Sequence, residues 1–248
     1  EAFLYMYTGK FYKAIEKYER QHYASLQRFQ LIGGDYPWNK YVLDVLKLAR
    51  ENGLLSKDVE ACAKYSWETM KKWLPCPTGD SEQLTANLIV ALRNASKTLP
   101  GADTTKTTQN VVEAIQNMLS YYERNGYFTW DQWAKASKLK PAKASNEEVL
   151  PIHNAASFHS THPQLHEDIK VIIESVFHCA AEAMEQYEKE KELRGLIDFT
   201  DQEYLALRML ENPEYTNALK ERVEAVFVDE FQDSSPLQIA LNMKLLEV

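Results

Sequence analysis

Residues 225–238 read AVFVDEFQDSSPLQ: four apolar side chains, Ala225 to Val228, run straight into Asp229, Glu230, Gln232 and Asp233, and Ser234-Ser235-Pro236 follows. An unbroken apolar run of this length fits a parallel strand buried on both faces, and it predicts a strand over 225–229, the one convincing strand of the chain. A rigid strand that ends in Asp-Glu can hold one carboxylate beside a magnesium ion on the β- and γ-phosphates of a nucleotide, and can set the next where it deprotonates an attacking water. On that reading Asp229 is the magnesium-side acid and Glu230 the base. Gln232 reaches the γ-phosphate or its water with an amide that both donates and accepts. The same residues also fit the cap region of a helix beginning at Pro236, in a helical interaction module without ATPase activity. Both readings predict that Ser234 or Ser235 caps that helix.

Upstream, the patterns are helical. Residues 164 to about 194 carry Leu165, Ile169, Ile172, Val176, Cys179, Ala183 and Tyr187 on one face, and Gly195 stops them as a left-handed cap. Next, Thr200-x-x-Glu203 has capping-box spacing, with Leu205, Met209 and Leu210 expected inside and Pro213 at the end. Further helices are expected at about 38–51, 57–73, 81–98 and 107–124, the last closed by Asn125-Gly126. The first stretch, from Phe3, Tyr7 and Phe11 to Phe29, has an aromatic helical face that Gly33-Gly34 breaks. Its Gly9-Lys10 pair lacks the upstream glycine and the preceding strand of a phosphate loop. Pro141, Pro151 and Pro163 mark the main break, with Ser145-x-x-Glu148 as another expected cap. The fold class is therefore mainly α.

The 248 residues are 45% hydrophobic, with 8 Gly and 9 Pro, a composition that excludes a disordered chain. No apolar run approaches the roughly 20 residues that cross a bilayer, and three cysteines without metal-type spacing fit reduced thiols, so a cytoplasmic protein with no membrane partner is expected. Charge is uneven: residues 1–150 hold 20 Lys+Arg against 17 Asp+Glu, and residues 151–248 hold 8 against 19. In the less acidic part, Trp130 and Trp133 precede Lys135, Lys138, Lys140 and Lys143 with no acid after Asp131. Rings beside lysines suit bases and phosphates, so these six residues are candidate DNA contacts; the alternative is a solvated helix end with its tryptophans in the core. His153, His159, His162 and His166 crowd one segment, but their spacing matches no structural zinc site.

The longer string VDEFQDSSPLQ resembles the second helicase motif of the UvrD/Rep group of superfamily 1, RecB and AddA relatives included. The segment KELRGLIDFTDQEYLALRML, about thirty residues earlier, is similar to that family's Gly, apolar pair and Asp-Phe-x-Asp followed by a helix. Together the matches cover 191–240, about a fifth of the chain. The resemblance implies that Asp229 and Glu230 serve magnesium and water activation and that Gln232 couples hydrolysis to DNA movement, with ATP and Mg2+ as cofactors. For Asp198, Phe199 and Asp201 it implies a place in the ATPase domain, with a structural role at least as natural as a catalytic one. Gln202 stands where the pattern has Leu, which leaves the role of that helix face open. SFHS at 157–160 is similar to another family motif but lies closer to the acidic box than the family places it.

The implied fold is a helical accessory subdomain of the 1B type over 1–155 and a partial RecA-like α/β segment over 156–248. The chain begins with Glu, contains no Gly-rich phosphate loop and shows no arginine finger in a recognisable context, so an internal fragment of the first motor domain, inactive alone, is expected. The implied function is that of an ATP-dependent DNA helicase or translocase, 3′-to-5′, in DNA repair or recombination. Its implied partners are single-stranded DNA, a duplex junction and, as in helicase–nucleases, a nuclease domain or subunit.

Overall fold

A computed structural model of the chain describes residues 2–33 and 37–247, with the backbone alone for residues 2–8 and Lys10. The Phe3 and Tyr7 side chains and Gly34, expected in the aromatic face and its break, lie outside the described residues. Among those described, every regular element is helical: α1 (Ala2–Gln21), α2 (Tyr23–Arg28), α3 (Trp38–Glu51), α4 (Ser56–Lys71), α5 (Ser81–Ala102), α6 (Lys106–Asn125), α7 (Trp130–Ala136), α8 (Asn146–Ala156), α9 (Pro163–Arg194), α10 (Phe199–Met209), α11 (Pro213–Lys220) and α12 (Pro236–Glu247). The Gly9-Lys10 pair lies inside α1, not in a loop between strand and helix. Two compact units share the chain, one of residues 1–17, 39–64 and 176–248, the other of residues 18–38 and 65–175.

In the second of these units, Leu88, Leu92, Ala95 and Leu99 recur at three- and four-residue steps and form one apolar stripe on α5. They pack with Val111, Ile115 and Met118 of α6 and Val149, Ile152 and Ala156 of α8. Each fully buried Leu or Ile contributes roughly 1.5–3 kcal/mol, so these stripes hold the unit together. Asp80 caps α5 by accepting from Gln83 N at 2.9 Å, and Gly126, at φ 78°, ends α6 in the left-handed region that a residue with a Cβ avoids. Thr129 and Gln132 form a capping box on α7. Ser145 does not cap α8: it already closes a 3-10 turn (Lys143–Ser145), its ψ is 11° instead of extended, and its hydroxyl lies buried with no partner among the described residues.

In the other unit, Phe11, Ala14 and Ile15 of α1, Val42 and Ala49 of α3, and Val59 and Ala63 of α4 are buried, as are Val176, Cys179, Ala180, Ala183 and Met184 of α9. Gly195, at φ 64°, ends α9 as its pattern predicts. The cap of α10 is Asp198, two residues earlier than the expected Thr200, because the Asp198 carboxylate accepts from Asp201 N and Asp201 returns the bond to Asp198 N. Leu205 and Met209, expected inside, are about half exposed, at 47% and 50%. The expected strand at 225–229 is also absent among the described residues. Ala225 to Val228 belong to no regular element, and Phe227 is 95% exposed. A parallel strand is stable only with neighbours about 4.8 Å away to take its N–H and C=O groups, and an apolar run alone cannot supply them.

Candidate active site

The acidic box sits between this irregular segment and α12. Asp229 Oδ1 accepts from Glu230 N at 2.9 Å, and Glu230 turns the chain at φ 48°, ψ 41°. That left-handed conformation costs a non-glycine residue about 1–2 kcal/mol, and such strain tends to persist where side chains must be aimed. A 3-10 turn (Phe231–Asp233) follows, closed by Asp233 N to Glu230 O at 2.9 Å. The Gln232 amide donates to the Glu230 carboxylate. Asp229, Glu230, Gln232 and Asp233 are all exposed.

The next residues anchor the box. Ser235 Oγ accepts from Gln238 N at 3.1 Å while Ser235 N donates to Gln238 Oε1 at 3.0 Å, a reciprocal cap on the helix that Pro236 opens. The Gln238 amide also donates to Glu203 of α10 at 2.7 Å, and Leu237 is buried beside Gly53. Asp229, Glu230 and Gln232, near neighbours in sequence, thus stand together in space, and Gln238, the last residue of the family-like string, ties them to Glu203 of α10.

Hard carboxylate oxygens suit magnesium, which takes one or two protein carboxylates and fills its remaining positions with water and substrate phosphate. Asp229 and Glu230 fit that donor set. Magnesium bound there would neutralise charge on nucleotide phosphates. The chain's own residues contribute exposed carboxylates at Asp229 and Glu230 and an amide at Gln232 that donates to the Glu230 carboxylate.

A second cluster forms around Asp198 and Asp201. Arg50 Nη2 donates to Asp198 at 2.5 Å and Tyr187 Oη donates to the same oxygen at 2.6 Å, while Lys191 Nζ lies 2.5 Å from Asp201. Both cations also face the Tyr187 ring, at 4.6 Å for Arg50 and 4.7 Å for Lys191. Burial alone would raise the Asp198 pKa, but the bonds from Tyr187, Arg50 and the Asp201 backbone outweigh it and lower the pKa to about 2. Asp198 and Asp201 are thus engaged in pinning α10 to α3 and α9. No motif singles out Arg50 in sequence; Tyr187 was expected only on a helix face and Lys191 only as the start of the family-like segment. Gln202 is exposed, so a polar residue replaces the usual Leu there without burial cost.

The candidate DNA contacts divide. Trp130 and Trp133 are 8% and 2% exposed, packed edge-on against His162, and Trp130 Nε1 donates to buried Asp168 at 2.8 Å. They are core residues and offer no free face for a base; the capping box at Thr129 turns α7 so that both indoles point inward. Lys135, Lys138, Lys140 and Lys143 are exposed, Lys135 pairing with Asp131 at 2.6 Å. The histidines each bond the backbone: His153 to Leu139 O at 2.7 Å, His159 to Ala156 O at 2.9 Å, His166 to Ser160 O at 3.2 Å, and His162 to Gln164 N at 3.1 Å. Among the described residues no three His, Cys, Asp or Glu side chains converge as a metal site, and no helix is long and apolar enough to cross a membrane. All three cysteines are free.

Residues 68–247 match the family of the UvrD/REP helicase N-terminal domain. An ATP-dependent helicase/nuclease subunit of Alkaliphilus oremlandii is 42% identical over 57 residues, which are 23% of this chain and 5% of the relative. The corresponding subunit of Clostridium novyi is 37% identical over 70 residues, 28% of this chain and 6% of the relative, and that of Enterococcus faecalis 26% identical over 160 residues, 52% and 13%. The chain thus spans only 5 to 13% of the length of these curated relatives. No solved structure matches it. With the acidic box at its C-terminal end and the family match running through it, the chain belongs to the UvrD/REP helicase N-terminal domain family.

Proposed function

We propose that this chain supplies the water-activating edge of the ATP site in a 3′-to-5′ DNA helicase or translocase of DNA repair or recombination, together with a helical accessory segment that faces DNA. The observation that carries this reading is the contiguous, exposed display of Asp229, Glu230 and Gln232, with Gln232 bonded to the Glu230 carboxylate and the whole turn anchored through Gln238 and Glu203. Glu230 acts as the base, Asp229 as the magnesium-side acid through a coordinated water, and Gln232 aligns the base and senses the γ-phosphate. Residues 1–155 correspond to the accessory subdomain and 156–248 to part of the first motor domain. Lys135, Lys138, Lys140 and Lys143 face phosphates. The relatives' names, which join helicase and nuclease, favour a nuclease domain or a nuclease-bearing polypeptide among the working partners.

The acidic box needs a Gly-rich phosphate loop and a second motor domain to close around ATP, and the 248 residues contain no G-x-x-x-x-G-K-[ST] string. The 248-residue chain alone therefore neither binds ATP tightly nor unwinds DNA. Steady-state hydrolysis with and without single-stranded DNA tests this: no rate above buffer is expected. A rate stimulated by single-stranded DNA contradicts it.

A further inference from the structure

Of the chain's five tryptophans, Trp38, Trp67, Trp130 and Trp133 are buried, at 9% exposure or less, whereas Trp73 is 82% exposed. Its position is set by the backbone, since Trp73 N donates to Met70 O at 3.0 Å and Leu74 N to Lys71 O at 3.3 Å in the turn that ends α4. Tyr65 on the same helix is 74% exposed. Lys71 and Lys72 lie between these rings and are exposed, and from residue 65 to residue 79 the single acid is Glu68. Lysines at a helix C-terminus favour the helix dipole, which accounts for the charges but not for two large rings left in water.

The segment after Trp73 is tied down. Thr78 N donates to Thr161 O at 2.9 Å, at the end of a 3-10 turn (Ser157–Thr161) that carries half-exposed Phe158. Helix α7, which bears Lys135, packs on that same turn. The segment that follows Lys71 and Lys72 and the helix that bears Lys135 therefore both meet the turn that carries Phe158.

We propose that Tyr65, Lys71, Lys72 and Trp73 form a binding surface for single-stranded nucleic acid; that the strand is DNA rests on the motor reading above. The phenol and indole faces stack on bases without regard to sequence, and the two ammoniums take the flanking phosphates. A protein partner fits less well, because lysine is depleted from the cores of protein interfaces, while a polyanion complements an acid-poor stretch. The surface takes over the stacking role that buried Trp130 and Trp133 do not fill.

The test is a titration of the 248-residue chain with a thymidine oligonucleotide, following intrinsic tryptophan emission, acrylamide quenching and, independently, the anisotropy of a dye on the oligonucleotide. Because Trp73 is the exposed indole, binding is expected to quench emission and to shield the chain from acrylamide. Trp73→Ala abolishes that signal and weakens binding about tenfold, the size of one lost base stack. The double substitution Lys71→Glu, Lys72→Glu lowers the slope of log affinity against log salt by about 1.4, at about 0.7 per phosphate. These side chains are exposed, and unchanged circular dichroism confirms that the variants fold. If anisotropy reports binding while emission stays constant and Trp73→Ala and Tyr65→Ala bind as the parent does, the surface is wrong and the DNA reading stands. If the chain binds no oligonucleotide, the surface is overturned, and the motor reading is judged separately by ATP hydrolysis in Glu230 variants.

Discussion

Arg28 and Asp168 are joined by two hydrogen bonds of 2.6 Å each, Nε to Oδ2 and Nη2 to Oδ1, across 140 residues of sequence. Asp168 is fully buried, and Trp130 at 2.8 Å and Gln164 at 2.9 Å donate to its remaining lone pairs. A buried carboxylate satisfied by four donors is costly to break, because each partner is left behind without water. Asp168→Ala is expected to destabilise the unit by about 3 kcal/mol, since the part-buried Arg28 loses its carboxylate and Trp130 Nε1 its acceptor. Urea denaturation measures the loss; a change below about 1 kcal/mol would show that Arg28 finds solvent or another partner.

Asp198 makes acid stability depend on pH. Its pKa lies at about 2, below the ordinary 3.8, so the folded state binds fewer protons than the unfolded state in that interval. The stabilisation is present in full above 3.8 and is lost as pH falls through about 2. Tyr187→Phe removes one donor, raises the Asp198 pKa and moves the loss to higher pH. Thermal melts from pH 5 down to pH 2 should show the variant declining first; superimposable profiles would mean that Tyr187 contributes nothing to the carboxylate.

The Ser235–Gln238 cap holds the acidic box to α12. Ser235→Ala is expected to cost about 1 kcal/mol and to speed amide exchange in the first turn of α12. Gln238→Ala removes the return bond and the 2.7 Å contact to Glu203 as well, so the turn at 229–233 should loosen more in this variant. Equal exchange in parent and both variants argues against the cap as an anchor.

Much of this architecture was legible in local sequence. Three- and four-residue apolar spacing located α3, α5 and α6 to within a few residues, and Gly126, Gly195 and Pro236 punctuated the helices as their backbone preferences require. The failures came where distant residues decide. Ala225–Val228 has the composition of a buried strand, yet strands depend on neighbours that a local pattern does not contain. Thr200 was the expected cap of α10, but Arg50 from α3 and Tyr187 from α9 favour Asp198 by bonding its free oxygen. Trp130 and Trp133 beside lysines looked like a nucleic-acid surface, but a tryptophan carries no local mark of which way its helix turns. Trp73, beside two lysines of its own, was the exposed one.

Asp229, Glu230 and Gln232 are near neighbours in sequence, so the chain brings them together without any help from distant residues. The most direct test of their role is ATP hydrolysis stimulated by single-stranded DNA in a protein that joins this chain to a phosphate loop and a second motor domain, comparing Glu230→Gln with the parent. Loss of a positioned general base is expected to lower the rate by about 10²–10⁴-fold while DNA affinity and melting temperature hold. A variant that hydrolyses ATP at the parental rate would contradict the assignment of Glu230, and with it the reading of this turn as the water-activating edge of a helicase ATPase.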